Sequence, residues 1–267
     1  MKKTQPIGIF DSGVGGISVM SHIQSLLPNE SLAYVADSLY APYGMKSNDV
    51  ILERSKTAIN YLIKKKSAKL IVVACNTATA AAIKELRQIY HVPIIGMEPA
   101  IKPATKATIC KKVGILATNG TLESVKFSAL LDAYSGDIEF YTQPCPGLVE
   151  LIEQGKVNDL STKLLIQKYL DPLTERKVDT IVLGCTHYIF IRELIKNRMG
   201  AEVKIIDTGL AVAKQVAREL KKFSLQNKSN EKNYSIFTNS QNLRMEAIIR
   251  SMPTNSDFDY SYHDSWN

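Results

Sequence analysis

The run Leu70-Ile71-Val72-Val73-Ala74-Cys75-Asn76-Thr77-Ala78-Thr79 constrains this chain most. Its apolar start reads as a strand buried on both faces. At Cys75 the pattern changes to Ala80-Ala81-Ala82-Ile83-Lys84-Glu85-Leu86, which favours helix. A strand that feeds a helix belongs to an α/β sheet, and open sheets of that class bind ligands outside the carboxyl ends of their strands. The Cys75 thiol is therefore expected in a crevice, at a helix start that favours thiolate over thiol. A lone cysteine is more often a small buried hydrophobe. Function at Cys75 thus needs support from the rest of the chain.

A repeat supplies that support. Near the N-terminus, Pro6-Ile7-Gly8-Ile9-Phe10 reads as a strand ending in the glycine turn Asp11-Ser12-Gly13-Val14-Gly15-Gly16, with a helix over Ile17–Leu27. Val113-Gly114-Ile115-Leu116-Ala117-Thr118 has the same shape. Thr180-Ile181-Val182-Leu183-Gly184-Cys185 is a second buried strand that stops at a cysteine. Gly8 precedes Cys75 by 67 positions, and Gly114 precedes Cys185 by 71. Two related α/β domains are suggested; if they face each other, their strand ends, and so the two cysteines, meet across a cleft.

Between these landmarks the periodicity predicts strands over Leu32–Ala36, Val92–Gly96, Ile138–Tyr141 and Val203–Asp207. It predicts helices over Asn48–Lys66, Leu122–Tyr134, Leu148–Gln154, Leu160–Thr174 and Gly209–Lys222. After a polar linker over Gln226–Asn233, a strand at Tyr234–Thr238 and a helix at Leu243–Ser251 are expected to return to the first domain. The aromatic and acidic end, Asp257–Asn267, is expected to fray.

At 267 residues the chain has room for one large or two ordinary domains. It contains no apolar run long enough to span a bilayer. The basic Met1–Pro6 segment leads into Ile7–Asp11, too short and too soon charged for a signal-peptide core, so the cytoplasm is expected. Cys75, Cys110, Cys145 and Cys185 form no CxxC pair, which argues against a disulfide framework or a zinc site. The net charge is +7, but the lysines are scattered. The one cluster, Lys64-Lys65-Lys66, sits where it complements a helix dipole, so a nucleic-acid partner is not expected.

The turn Asp11–Gly16, with Asp37 at the end of the next strand, also fits a dinucleotide fingerprint. Ser18 stands where the third glycine belongs, and Asp11 would face a pyrophosphate unfavourably. A nicotinamide-dependent oxidoreductase using the Gly13–Gly16 turn is therefore the alternative. Cys110 begins a strand, the wrong end for a site, and Cys145 lies in a Pro-flanked loop. Asn76-Thr77 and Thr186-His187 follow the two strand-end cysteines, where short polar side chains cap a helix or hydrogen-bond a ligand. Two opposed thiols suit inversion at a carbon: one removes a proton from one face, the other delivers a proton to the opposite face.

Four motifs in order carry a resemblance: Gly8-Ile9-Phe10-Asp11-Ser12-Gly13-Val14-Gly15-Gly16, Pro42-Tyr43-Gly44, Ala74-Cys75-Asn76-Thr77-Ala78 and Gly184-Cys185-Thr186-His187-Tyr188. Together they resemble the glutamate racemases of the aspartate/glutamate racemase family. The resemblance implies cofactor-free, metal-free interconversion of L- and D-glutamate that supplies D-glutamate for peptidoglycan. It also implies two pseudo-symmetric three-layer αβα domains with mainly parallel sheets, residues 1–98 plus 208–267 and residues 99–207, with the active site in the cleft between them. Cys75 and Cys185 would be the bases. Asp11, Glu153 and His187 would support them, Asp11 on the Cys75 side and the other two nearer Cys185. Asp11, Ser12, Tyr43, Gly44, Asn76, Thr77, Thr186 and His187 would hold the substrate. His187 argues for glutamate, since the similar aspartate racemases carry Glu there; a related acidic amino acid such as aspartate is a further alternative. A homodimer without membrane association is implied. Phe237-Thr238-Asn239-Ser240 departs from the Ser-Gly-Asp-like turn of many members.

Overall fold

The computed structural model describes residues 2–241 and 258–266. The first sheet is built from β1 (Ile7–Asp11), β2 (Leu32–Ala36), β3 (Leu70–Val73) and β4 (Ile94–Gly96), interleaved with helices α1 (Ile17–Leu26), α2 (Asn48–Lys64) and α3 (Asn76–Ile89). After α4 (Ile101–Ala107) the chain enters a second sheet, with β5 (Lys112–Ala117), α5 (Asn119–Leu122), α6 (Val125–Asp132), β6 (Glu139–Pro144), α7 (Leu148–Glu153), α8 (Leu160–Glu175), β7 (Thr180–Leu183), α9 (Arg192–Met199) and β8 (Lys204–Ile206). It then returns to the first through α10 (Gly209–Lys222), β9 (Tyr234–Thr238) and β10 (Asp259–Tyr262).

All pairings among these strands are parallel. The first sheet has the order β10-β9-β2-β1-β3-β4 and the second β6-β5-β7-β8. The second therefore repeats four consecutive strands of the first, β2-β1-β3-β4, in the same order. The register repeats as well. Gly8 pairs with Ile71, and Gly114 pairs with Ile181. Both glycines admit a helix packed close over the central strand. A Cβ on Gly8 would lie 2.8 Å from Ile71 Cδ1 and 3.2 Å from Leu62 Cδ1; one on Gly114 would lie 2.9 Å from Leu173 Cδ1.

Local chemistry explains the helices. Ser47 caps α2 by accepting the Val50 N–H, and Ile51, Ser55, Ala58, Ile59 and Leu62 form its buried stripe. Along α10 the buried set is Val212, Ala213, Val216 and Leu220, again one face. Apolar cores fill both faces of each sheet, one of them joining α1 and α10 over β1, β2 and β9.

The helix expected over Leu122–Tyr134 is broken. Ser124 accepts the Phe127 N–H and starts α6 afresh, so α5 and α6 are separate. No α-helix follows Cys185 directly; Thr186–Ile191 form a 3-10 helix before α9. Over the described residues 258–266 the terminal segment does not fray: β10 pairs with β9, and Trp266 is buried. Burial of Trp266, with Phe258 and Tyr260 packed against the core, outweighs the terminal position. The helix expected over Leu243–Ser251 lies outside the described residues.

Candidate active site

Each strand-end cysteine stands two residues past its strand and four past the partner of the central-strand glycine. Cys75 is the N-cap of α3, its Sγ accepting the Ala78 N–H at 3.4 Å. Ser12 Oγ lies 3.5 Å from the same sulfur. These bonds favour the thiolate, as expected of a helix start. Burial and the nearby Asp11 carboxylate outweigh them and push the Cys75 thiol up to about 12. Burial thus holds Cys75 as a thiol here, against the pull of the helix start.

Cys185 has a different neighbour. Its Sγ lies 3.8 Å from Nδ1 of His187, whose Nε2 lies 2.5 Å from Glu153 Oε1. Burial opposes a charge on His187. The hydrogen bonds to Cys185 and Glu153, with the Glu153 charge, overcome that opposition and hold the imidazole well above its ordinary value. A cation thus sits beside Cys185, while a carboxylate lies near Cys75.

The two sheets meet through these groups. Thr186 Oγ1 donates to Asp11 Oδ2 at 3.0 Å, and the Val14 N–H donates to Glu153 Oε1 at 3.0 Å. Asp11 Oδ1 accepts the Gly13 N–H at 2.7 Å. Asp11 is thus near Cys75 electrostatically but is hydrogen-bonded to the residue after Cys185. Its carboxyl is pushed up to about 6 by burial, which His187, Gly13 and Thr186 only partly offset.

The glycines of the turn serve this meeting. A Cβ on Gly13 would lie 1.8 Å from Glu153 Oε1, and one on Gly15 would lie 2.4 Å from Thr186 Oγ1. Carboxylates already take the turn's N–H groups at Gly13 and Val14, and the second sheet fills the space in front. A pyrophosphate has no room there. Asp37 is equally committed, to Arg54, Tyr43, Asn239 and Trp266 rather than facing a ribose. The dinucleotide alternative fails on both counts.

Ser12, Tyr43, Gly44, Cys75, Asn76, Thr77, Cys185, Thr186 and His187 line one cavity of about 260 Å³, its mouth included. Asp11 and Glu153 stand behind it, touching Thr186 and His187. Sequence reasoning missed Pro42, Thr118 and Val149 on the wall. The repeat contained the signal for Thr118: it follows Gly114 by four residues, as Ser12 follows Gly8. Its Oγ1 lies 2.9 Å from Thr77 Oγ1. The Asn76 carboxamide is buried with neither Oδ1 nor Nδ2 paired. An unmet amide in a polar cavity is costly unless a ligand meets it. Cys145 is buried beside a neighbouring cavity and Cys110 is exposed, so neither joins the pair.

Known proteins are similar over this whole arrangement. A family model described as Asp/Glu/hydantoin racemase matches residues 7–216. A glutamate racemase of Ectopseudomonas mendocina is 49% identical over 91% of this chain and 93% of its own length. That of Pseudomonas aeruginosa is 47% identical over 91% and 92%. Among solved structures, a Bacillus anthracis glutamate racemase superposes with a TM-score of 0.85 at 30% identity, covering 98% of both chains. The Escherichia coli glutamate racemase, in complex with L-glutamate and the activator UDP-MurNAc-Ala, superposes at 0.84 with 29% identity over 97% of both chains.

Proposed function

This chain belongs to the Asp/Glu/hydantoin racemase family, and on that premise we propose that Cys75 and Cys185 are the two acid–base groups of its reaction. That reaction is the racemisation of glutamate. The observation that carries the proposal is the pair of register-equivalent cysteines on one cavity that also holds the unpaired Asn76 amide.

With Cys185 as thiolate, the His187 imidazolium is its counter-ion. The thiolate takes the α-proton from one face of glutamate. The electron pair of that C–H bond stays on Cα and spreads into the α-carboxylate. The Cys75 thiol then delivers its proton to the opposite face and keeps the S–H electron pair as thiolate. The two sulfurs have exchanged protonation states, and the reverse direction starts from the exchanged pair. An amino-acid α-proton is far less acidic than a thiol, so the site must stabilise the carbanion-like state with donors already in place. Asn76, Thr77, Thr186 and the 42–44 loop are suited to hold the substrate carboxylates, with Ser12 beside Cys75. Asp11 and Glu153 are positioning residues, acting through Thr186 and His187. The chemistry asked of these groups is proton transfer alone, and we propose that no cofactor or metal takes part.

The domain division 1–98 plus 208–267 and 99–207 is part of the same proposal, supported by the chain's passage between the sheets near those positions. No described helix is long and apolar enough to cross a membrane. Kinship with the bacterial glutamate racemases supports a cytoplasmic homodimer that supplies D-glutamate to peptidoglycan. The test of the catalytic assignment is racemisation by Cys75→Ala and Cys185→Ala from each enantiomer. Both variants should lose it in both directions, and full activity in either would refute the two-base assignment.

A further inference from the structure

Trp266 is the only tryptophan of the chain, and it lies next to the last residue. It is nonetheless 3% exposed. β10 runs parallel to β9, and the His263 N–H then bonds the Thr238 carbonyl at 2.8 Å. Beyond that anchor the chain turns inward. The Trp266 ring packs 5.3 Å from that of Tyr61, and its Nε1–H donates to Asp37 Oδ1 at 2.8 Å.

Asp37 is fully buried and joins three parts of the chain. Its Oδ1 accepts from Trp266, from Asn239 Nδ2 at 2.6 Å and from Arg54 Nη2 at 2.5 Å. Its Oδ2 accepts from Arg54 Nε at 2.9 Å and from the Tyr43 hydroxyl at 2.6 Å. Tyr43 is in turn on the wall of the cavity that holds both cysteines. A buried carboxylate is held in one orientation by its full set of donors, and loss of one leaves it free to turn or leaves its charge under-solvated. The orientation of Asp37 sets the position of the Tyr43 hydroxyl, and so of the 42–44 loop.

We infer that Trp266 is a positioning residue for the substrate loop, its indole N–H fixing Asp37, which fixes Tyr43 against the cavity. The C-terminal strand is thereby a strap that completes the substrate wall from the far edge of the sheet. This rests on reading that cavity as the glutamate site. A group that shapes the wall but does not touch the reacting carbon contributes binding shared by ground and transition states, so its loss appears in KM rather than in kcat.

Two variants separate the donor from the packing. Trp266→Phe keeps most of the ring bulk and removes the N–H. Trp266→His removes bulk but keeps a ring nitrogen, Nε2, at the place of the indole nitrogen. Racemisation of glutamate by native enzyme and both variants is measured well below the lower Tm. KM should rise about threefold to tenfold in Trp266→Phe, the scale of one hydrogen bond. It should stay within about twofold of native in Trp266→His, with kcat changed by less than about twofold in both. Tm should fall further in Trp266→His, which loses more packing. An unchanged KM in Trp266→Phe, or a KM that follows Tm instead of the donor, overturns the inference. Failure of the native enzyme to racemise glutamate in the same assay would instead overturn the reading of the site.

Discussion

Thr186, directly after one cysteine, donates its hydroxyl to Asp11, at the end of the strand beside the other cysteine, at 3.0 Å. Each half thus donates to the other across the seam, for in return the Val14 N–H of the first half donates to Glu153 of the second. The cleft is a polar seam held by one buried carboxylate, Asp11, and one half-buried, Glu153, and its behaviour follows from their charge.

Asp11 titrates from 3.8 when unperturbed to about 6 in the fold. An acid with a raised folded value binds more protons in the folded than in the unfolded chain between those limits, so stability falls as pH rises through that window. Relative to Asp11→Asn, the native chain should lose up to about 3 kcal/mol between about pH 4 and pH 6, then hold a constant difference. Urea unfolding of both proteins across that range reads the slope. A difference that grows in favour of the native chain as pH rises would contradict the assignment.

Glu153 holds the His187 charge through a hydrogen bond and through its own charge. Glu153→Gln removes the charge, so His187 should deprotonate at lower pH. The alkaline limb of kcat/KM should move down, and kcat should fall about tenfold to hundredfold. A pH–rate profile of the variant whose alkaline limb stays in place would show that the imidazolium is not required.

Two glycines should respond differently to the same methyl group. In Gly13→Ala the new Cβ would meet Glu153 Oε1 at 1.8 Å and His187 Nε2 at 2.9 Å, so the Glu153 carboxylate must move off the Val14 N–H and His187. The expected loss in kcat/KM is about 100-fold or more. In Gly8→Ala the Cβ would meet Ile71 Cδ1 at 2.8 Å inside the core. That change should cost about 1–3 kcal/mol of stability with kcat near native. Parallel Tm and rate measurements on the two variants test the distinction.

The strands, the repeat and the two cysteines were legible because each rests on local pattern. A buried apolar run ending in Cys and a short polar pair is visible without knowing any partner. The register of Gly8 on Ile71 and Gly114 on Ile181 bears out the spacing that suggested two related halves. Contacts between segments far apart in sequence were less legible. Asp37 looked like a ribose acid from its place after β2; only the fold shows Arg54, Asn239 and Trp266 gathered on it. Asn239, in the turn that departs from the family pattern, has its amide on that same carboxylate. The aromatic tail read as a frayed end because its strand partner, β9, lies across a stretch of chain that carries no pairing signal. The Ser124 cap that splits the 122–134 helix was present in the sequence but masked by an otherwise continuous helical period.

The central claim is that two different sulfurs act on opposite faces of one carbon. Its most direct test is racemisation of a single enantiomer of glutamate in deuterated water, stopped at low conversion. Two bases predict that the product enantiomer carries α-deuterium while the recovered substrate carries almost none, because the incoming proton comes from the second, solvent-equilibrated thiol. Equal deuterium in recovered substrate and product from the earliest times would mean that one base serves both faces, and would contradict the account.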